Sequence, residues 1–167
     1  PALHGPGDED GPVQALLATA GINYVGAEPA AAALGMDKPR FKDLATRIGI
    51  PVLPHIVVTA ANWLVKAGRE TSIAAVEQFA RSAAVDGALM VKPAAHGSSI
   101  GMSIARSPEE WGAAVDRALS YGDRALLEPY LSHPRELEVA LLERPDGTVE
   151  AYGPGEVFPG HDFYDYE

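Results

Sequence analysis

The sequence predicts an α+β fold, and three observations carry the prediction. Helix and strand signals are mixed without the strict βαβ alternation of a doubly wound sheet. The strand signals of the last third follow one another through short turns such as Pro145-Asp146-Gly147, which permit only antiparallel neighbours. Of 167 residues, 47% are hydrophobic and 22% charged, a balance that buries a core.

The elements are justified in chain order. Gly11-Pro12 opens a helix through Val13, Leu16 and Leu17, with proline at its first position, and Gly21 stops it. Ile22 to Val25 reads as a short strand ended by Gly26, and Glu28 to Leu34 as a small Ala-rich helix. Asp37 is a capping residue for a helix over Lys38 to Ile48 that Gly49 closes. Pro51 and Pro54 impose an extended stretch, and His55 to Val58 is a strand. Thr71 or Ser72 is expected to cap a helix through Ile73, Val76, Phe79 and Ala80. Leu89 to Lys92 is a strand, Gly97 to Gly101 a loop, and Met102 to Ala105 the returning strand. Ser107-Pro108-Glu109-Glu110 has the form of a capping box before a helix through Trp111, Val115 and Leu119. Strands follow near Ala125 to Tyr130, Glu136 to Glu143 and Val149 to Tyr152. The tail from Gly153 to Glu167, rich in Gly, Pro and aromatics, reads as a loop. No repeat or low-complexity linker interrupts this order.

Charge and composition narrow the function classes. With 23 acidic against 13 basic residues the net charge is −10, which disfavours nucleic acid and anionic membrane surfaces as partners. A bound nucleotide remains compatible, because a few buried lysines outweigh a distant acidic surface. The lack of cysteine excludes disulfides and thiolate chemistry and suits a cytosolic origin. No apolar run approaches the roughly 20 residues of a membrane span. Pro1-Ala2-Leu3-His4 carries neither a signal peptide nor a start methionine and reads as the end of a buried strand. Serine-hydrolase elbows, zinc-ligand spacings and dinucleotide glycine fingerprints do not occur.

Four clusters can carry chemistry. Val91-Lys92-Pro93 followed by Gly97-Ser98-Ser99-Ile100-Gly101 joins a strand-end lysine to a loop of closely spaced N–H groups and two hydroxyls. That is the chemistry of a phosphate clamp, although a tight hairpin with an exposed lysine has the same sequence. Lys38, in Met36-Asp37-Lys38, stands at a helix start, where the dipole disfavours a cation; it answers an anion or is merely solvated. Glu128 and Glu136 flank a strand connection and can accept hydrogen bonds from an adenine amine and ribose hydroxyls, or simply solubilise it. His4-Gly5-Pro6-Gly7-Asp8-Glu9-Asp10-Gly11 places a histidine and acids between a strand end and a helix start, a place suited to a carboxylate ligand.

Together these stretches, with Tyr24-Val25-Gly26, Glu136-Leu137-Glu138-Val139, Pro154-Gly155-Glu156 and Phe163-Tyr164-Asp165-Tyr166-Glu167, resemble the D-alanine–D-alanine ligases in that family's order. The resemblance implies an ATP-grasp fold. Residues 1–36 would end an N-terminal α/β substrate domain, 37–133 would form the central antiparallel-sheet domain, and 134–167 would begin the C-terminal domain. It implies an ATP-dependent ligase that joins two D-alanines through an acyl phosphate for peptidoglycan precursor synthesis, and hence cell wall biogenesis and cell shape, in the cytoplasm.

By position, Lys38 and Lys92 resemble the phosphate-binding lysines, and Lys92 and Ser98 the catalytic residues. Ser98 also resembles a substrate-orienting serine, and Ser99 lies in the loop over the phosphates. Glu128 resembles the adenine-side carboxylate and Glu136 the ribose-binding one, with backbone around Tyr130 and Leu131 lining the adenine slot. His4 and Glu9 resemble the pair near the first D-alanine. Phe163 to Glu167 resembles the start of a mobile loop. Asp8 departs from the family, which usually has glycine there. Magnesium is the expected metal, with its ligands expected beyond the C-terminal end of this chain, so this piece alone is expected to be inactive. ATP and D-alanine are the expected small-molecule partners, with a homodimer as the assembly to test. The alternatives are a related ligase with D-serine, D-lactate or a natural-product amine as acceptor, and a non-catalytic nucleotide-binding module.

Overall fold

A computed structural model describes residues 5–83 and 87–158. His4 and the Phe163 to Glu167 stretch therefore lie outside the described residues. The chain divides into two compact units, and it passes from the first to the second between Tyr130 and Leu131.

The first unit opens with three short helices, α1 (Pro12–Thr19), α2 (Pro29–Met36) and α3 (Lys38–Arg47). Each has proline in its first turn, where the missing N–H leaves no helical bond unmade. There follow β1 (Ile56–Thr59), α4 (Ala60–Trp63), α5 (Lys66–Ala83), β2 (Leu89–Pro93), β3 (Ser103–Ala105), α6 (Pro108–Leu119) and β4 (Arg124–Pro129). The strands form one antiparallel sheet in the order β1-β4-β2-β3.

Alternation along β2 and β4 divides that sheet into two faces. Leu89 and Val91 of β2, and Ala125 and Leu127 of β4, join Val58, Trp63, Val76, Trp111 and Val115 in the hydrophobic core. The alternate positions, Met90 and Lys92 on β2 and Arg124, Leu126 and Glu128 on β4, turn the opposite way, where Arg124 and Glu128 meet residues at and in α3 and Lys92 meets Glu128. The sheet thus has a core side, covered by α5 and α6, and a side on which charged groups gather.

The second unit is a hairpin of β5 (Glu136–Glu143) and β6 (Val149–Val157). Asp146 makes its turn by accepting hydrogen bonds from the Thr148 N–H and hydroxyl at 3.0 and 2.7 Å.

Four expectations require correction. Ile22 to Val25 forms no strand: it has no ladder partner among the described residues, and the Ile22 N–H instead donates to the Leu17 carbonyl at the end of α1, at 2.9 Å. Thr71 and Ser72 do not cap α5, which starts at Lys66; both lie inside it and donate to carbonyls one turn back, on Ala67 and Gly68. The preceding α4, capped by the Thr59 hydroxyl, was not foreseen. Ser107 makes no side-chain cap at α6; the Glu110 carboxylate reaches past it to the Arg106 N–H at 2.7 Å. Finally, Gly153 to Val157 belongs to β6 and not to a loop. Its pairing with β5 shifts register between Glu138 and Ala140, and Pro154 sits in that irregularity, where no ladder bond needs its missing N–H.

Candidate functional site

The site grows from the charged face of the first sheet. Lys92 lies opposite Leu126 on β4, so Glu128, two residues on, is its diagonal neighbour on the same face. Long side chains span that diagonal, and the Lys92 ammonium pairs with Oε1 of Glu128. The other oxygen, Oε2, accepts from Nζ of Lys42 at 2.5 Å. Lys42 comes from α3, one turn after Lys38 and on the same side of the helix. Lys38 bends inward as well, donating from Nζ to the carbonyls of Pro93, at 3.2 Å, and His96.

The placement of α3 explains why these groups meet. Its first N–H, on Lys38, donates to the Ala94 carbonyl at 2.9 Å, and the Ala94 N–H donates to the Arg124 carbonyl at the same distance. Asp37 caps the helix by accepting from the Arg40 N–H at 3.3 Å, and its carboxylate takes both terminal nitrogens of Arg124 at 3.3 and 2.8 Å. Two ion pairs, Asp37–Arg124 and Lys42–Glu128, therefore fasten α3 across β4.

Charge is unbalanced here. Two lysines pair with the Glu128 carboxylate and a third, Lys38, lies near enough to feel its charge, and the side chains of Lys42, Lys92 and Glu128 are only 14%, 18% and 8% exposed. Burial pushes the Glu128 carboxyl up, but the Lys92 charge and the hydrogen bonds from Lys42 and Lys92 outweigh it and hold it below its ordinary range. Burial, and then the neighbouring Lys92 charge, push Lys38 down to about 8, against the smaller pull of Glu128 and Asp37. A partly buried cationic surplus of this kind suits an anion.

The glycine loop lies beside these groups. Ser98 and Ser99 both adopt left-handed backbone, with φ of 54° and 55°, conformations unusual for residues other than glycine. Gly101, at φ 72°, leaves no room for a side chain: a Cβ would stand 2.5 Å from the Tyr121 ring. At Gly97 a Cβ would stand 2.8 Å from Oε1 of Glu9, so the Glu9 carboxylate rests against the loop. The same oxygen accepts the Gly5 N–H at 2.9 Å.

The structure thus brings together Glu9, Lys38, Lys92, Ser98, Ser99 and Glu128. Tyr130 follows at the end of β4, nearly buried, its N–H bonded to the Ala88 carbonyl at 3.0 Å and its ring 5.4 Å below the Arg106 guanidinium. Leu131 and Glu136 belong to the second unit, where Glu136 opens β5 opposite Val157. Lys92 is not an exposed hairpin lysine, nor is Lys38 merely solvated. Lys42 and Arg124 escaped the sequence reading. The available signals were the four-residue spacing of Lys42 from Lys38 and the even spacing of Arg124 from Glu128.

Comparison with known proteins adds the family. The D-ala D-ala ligase C-terminus family matches residues 44–167. A D-alanine--D-alanine ligase of Bradyrhizobium sp. (strain BTAi1) is 40% identical over 168 residues, covering 99% of this chain and 43% of that protein. Among solved structures, the D-alanine-D-alanine ligase from Coxiella burnetii superposes with a TM-score of 0.77 at 30% identity, covering 94% of this chain and 43% of that one. The VanG D-Ala:D-Ser ligase from Enterococcus faecalis gives 0.79 at 27% identity, covering 99% and 44%. The chain spans less than half the length of these relatives. Its helices and antiparallel sheets, shared with those ligases, are those of the ATP-grasp fold, and the chain belongs to the D-ala D-ala ligase C-terminus family.

Proposed function

We propose that this chain is the nucleotide-binding part of an ATP-dependent ligase that joins two D-alanines for peptidoglycan precursor synthesis in the cytoplasm. The observation that supports it most is the cationic surplus of Lys38, Lys42 and Lys92 around Glu128, beside a loop whose glycines leave no room for side chains. Triphosphate fits that charge. Lys38 and Lys92 would meet its phosphates, with Ser99 and neighbouring N–H groups over them. Glu128 and the backbone at Tyr130 and Leu131 would face adenine, and Glu136 the ribose.

In this reading a carboxylate oxygen of the first D-alanine attacks the γ-phosphorus, the bond to ADP breaks, and an acyl phosphate forms. The amine of the second D-alanine then attacks the acyl carbon; phosphate leaves and the amine loses a proton. Lysine charge against the γ-phosphate lowers the cost of bringing two anions together, and the loop positions them. Ser98 would orient the substrate, with Glu9 and His4 near the first D-alanine. Magnesium would draw further charge from the phosphoryl group. Among the described residues no group of three or more His, Asp or Glu is arranged to hold it.

The experiment is phosphate release from ATP by the full-length protein, with D-alanine present or absent and the dipeptide identified by mass. D-alanine-dependent release together with D-alanyl-D-alanine supports the proposal. ATP binding with no amino-acid-dependent release would favour a non-catalytic module. Because a D-Ala:D-Ser ligase is among the similar structures, D-serine and D-lactate belong in the same assay as competing acceptors. Sedimentation of the same sample tests the proposed homodimer.

A further inference from the structure

We infer that Lys42 is a positioning residue: it keeps Glu128 paired and in place so that Lys92 is free to exchange from that carboxylate to an incoming phosphate. The inference rests on the nucleotide-binding part of the reading above. It starts from the two oxygens of Glu128, each held by a different lysine, one from the sheet and one from the helix. Lys92 stands next to the strand end and the glycine loop, whereas Lys42 is one helical turn farther from the loop than Lys38.

If Lys92 were the sole partner of Glu128, its departure would leave a carboxylate unpaired with its side chain only 8% exposed, and breaking a buried pair in that way is strongly unfavourable. Lys92 would then be held by its own counter-ion and withheld from the nucleotide. The Lys42 contact removes that penalty. Oε2 keeps its ammonium partner through the exchange, and the carboxylate keeps both its charge and its orientation. The α3 scaffold suits this task, because the Asp37–Arg124 pair fixes the helix start independently of Glu128. Lys42 itself is assigned no nucleotide contact; it reaches the site only through Glu128, whose Oε2 it holds.

The test is a double-mutant cycle on the full-length protein, read by direct titration with a non-hydrolysable ATP analogue. Lys42→Met is expected to raise the dissociation constant about tenfold in the wild-type background. In the Glu128→Gln background the same change should alter it by less than about twofold, since a neutral amide no longer captures Lys92. Lys42→Arg, which keeps the charge, should stay near wild type. Equal effects of Lys42→Met in the two backgrounds would overturn the inference, because a lysine that meets the nucleotide or merely packs α3 does not depend on Glu128. If Lys42→Met alone does not fold, Glu128→Gln and Lys42→Met/Glu128→Gln decide: matching affinities support the inference and a fivefold difference overturns it. Titration separates this result from the ligase reading. A protein that binds the analogue but forms no dipeptide refutes the ligase and leaves the Lys42 cycle fully informative.

Discussion

Asp37 offers the sharpest test of how the site is held, because two separable interactions meet in one carboxylate. Its side chain caps α3 and also binds Arg124 through two nitrogens. Loss of a cap is worth about 1 kcal/mol. Removing the acceptor from a mostly buried guanidinium, 28% exposed here, adds about 1.5–3 kcal/mol. Asp37→Ala should therefore destabilise the first unit by about 3 kcal/mol, and Asp37→Asn, which keeps a capping oxygen, by about 2 kcal/mol. Urea unfolding followed by tryptophan fluorescence measures both, since Trp63 and Trp111 belong to the core of this unit. The pH dependence has a definite sign. Burial pushes the Asp37 carboxyl up, but the hydrogen bonds and charge of Arg124 and the Arg40 N–H hold it below its ordinary value. Its contribution is thus present above the unfolded carboxylate value and lost as pH falls through the lowered folded value, where wild type and Asp37→Asn should converge. If Asp37→Ala lies within about 0.5 kcal/mol of wild type, the usual scatter for surface changes, then α3 is not fastened by this residue and the argument fails.

Other outcomes follow from the same geometry. Lys92→Ala should raise the ATP dissociation constant at least about tenfold, whereas Arg117→Ala, which removes an exposed charge from the last turn of α6, should change it less than about twofold. Comparable losses would make Lys92 ordinary surface charge. ATP affinity should fall by up to about tenfold per pH unit above pH 8, because Lys38 loses its proton there in the free protein; Lys38→Arg should flatten that slope. Stability should move the other way: the cost of burying the Lys38 charge is borne below pH 8 and relieved as pH rises toward the ordinary lysine value of 10.5. A flat affinity profile by calorimetry at pH 7 to about 9.5 contradicts this assignment. Gly101→Ala should destabilise by about 1–3 kcal/mol through its clash with Tyr121 and its left-handed backbone. Gly112→Ala, inside α6 with no atom nearer than 3.8 Å to the new methyl, should stabilise by about 0.5–1 kcal/mol. Thermal melts showing the same sign for both would mean that local crowding is misjudged.

Much of this architecture was legible in the sequence because its signals are local. Asp37 before a helical pattern, Gly49 after it, and proline in four helix starts each state their role within a few residues. Lys92 and the glycine loop stood out by juxtaposition, and the structure places that lysine, partly buried, against Glu128. What stayed hidden depends on distance along the chain. Lys42 meets Glu128 across 86 positions, and Asp37 meets Arg124 across 87, so neither pairing leaves a local trace. Thr71 and Ser72 misled because a hydroxyl that caps a helix and one that bonds back within it look alike in sequence. Pro154 misled because a proline in a strand is tolerated where the ladder is already broken, and the break is a property of the pairing.

The two-faced sheet also limits how this protein can change by insertion and deletion. From Arg124 to Glu128, positions on β4 alternate between the apolar core and the charged side, and none is left over for drift. Losing a single residue before Leu126 would turn Glu128 into the layer of Trp111 and Val115 and take its carboxylate away from Lys42 and Lys92. Both outcomes are unfavourable, one for the folded state and one for the charged cluster, so a change of length in this strand carries two separate costs. Length change is far more tolerable at the Asp146-Gly147 turn of the hairpin, which is exposed and whose hydrogen bonds close on themselves.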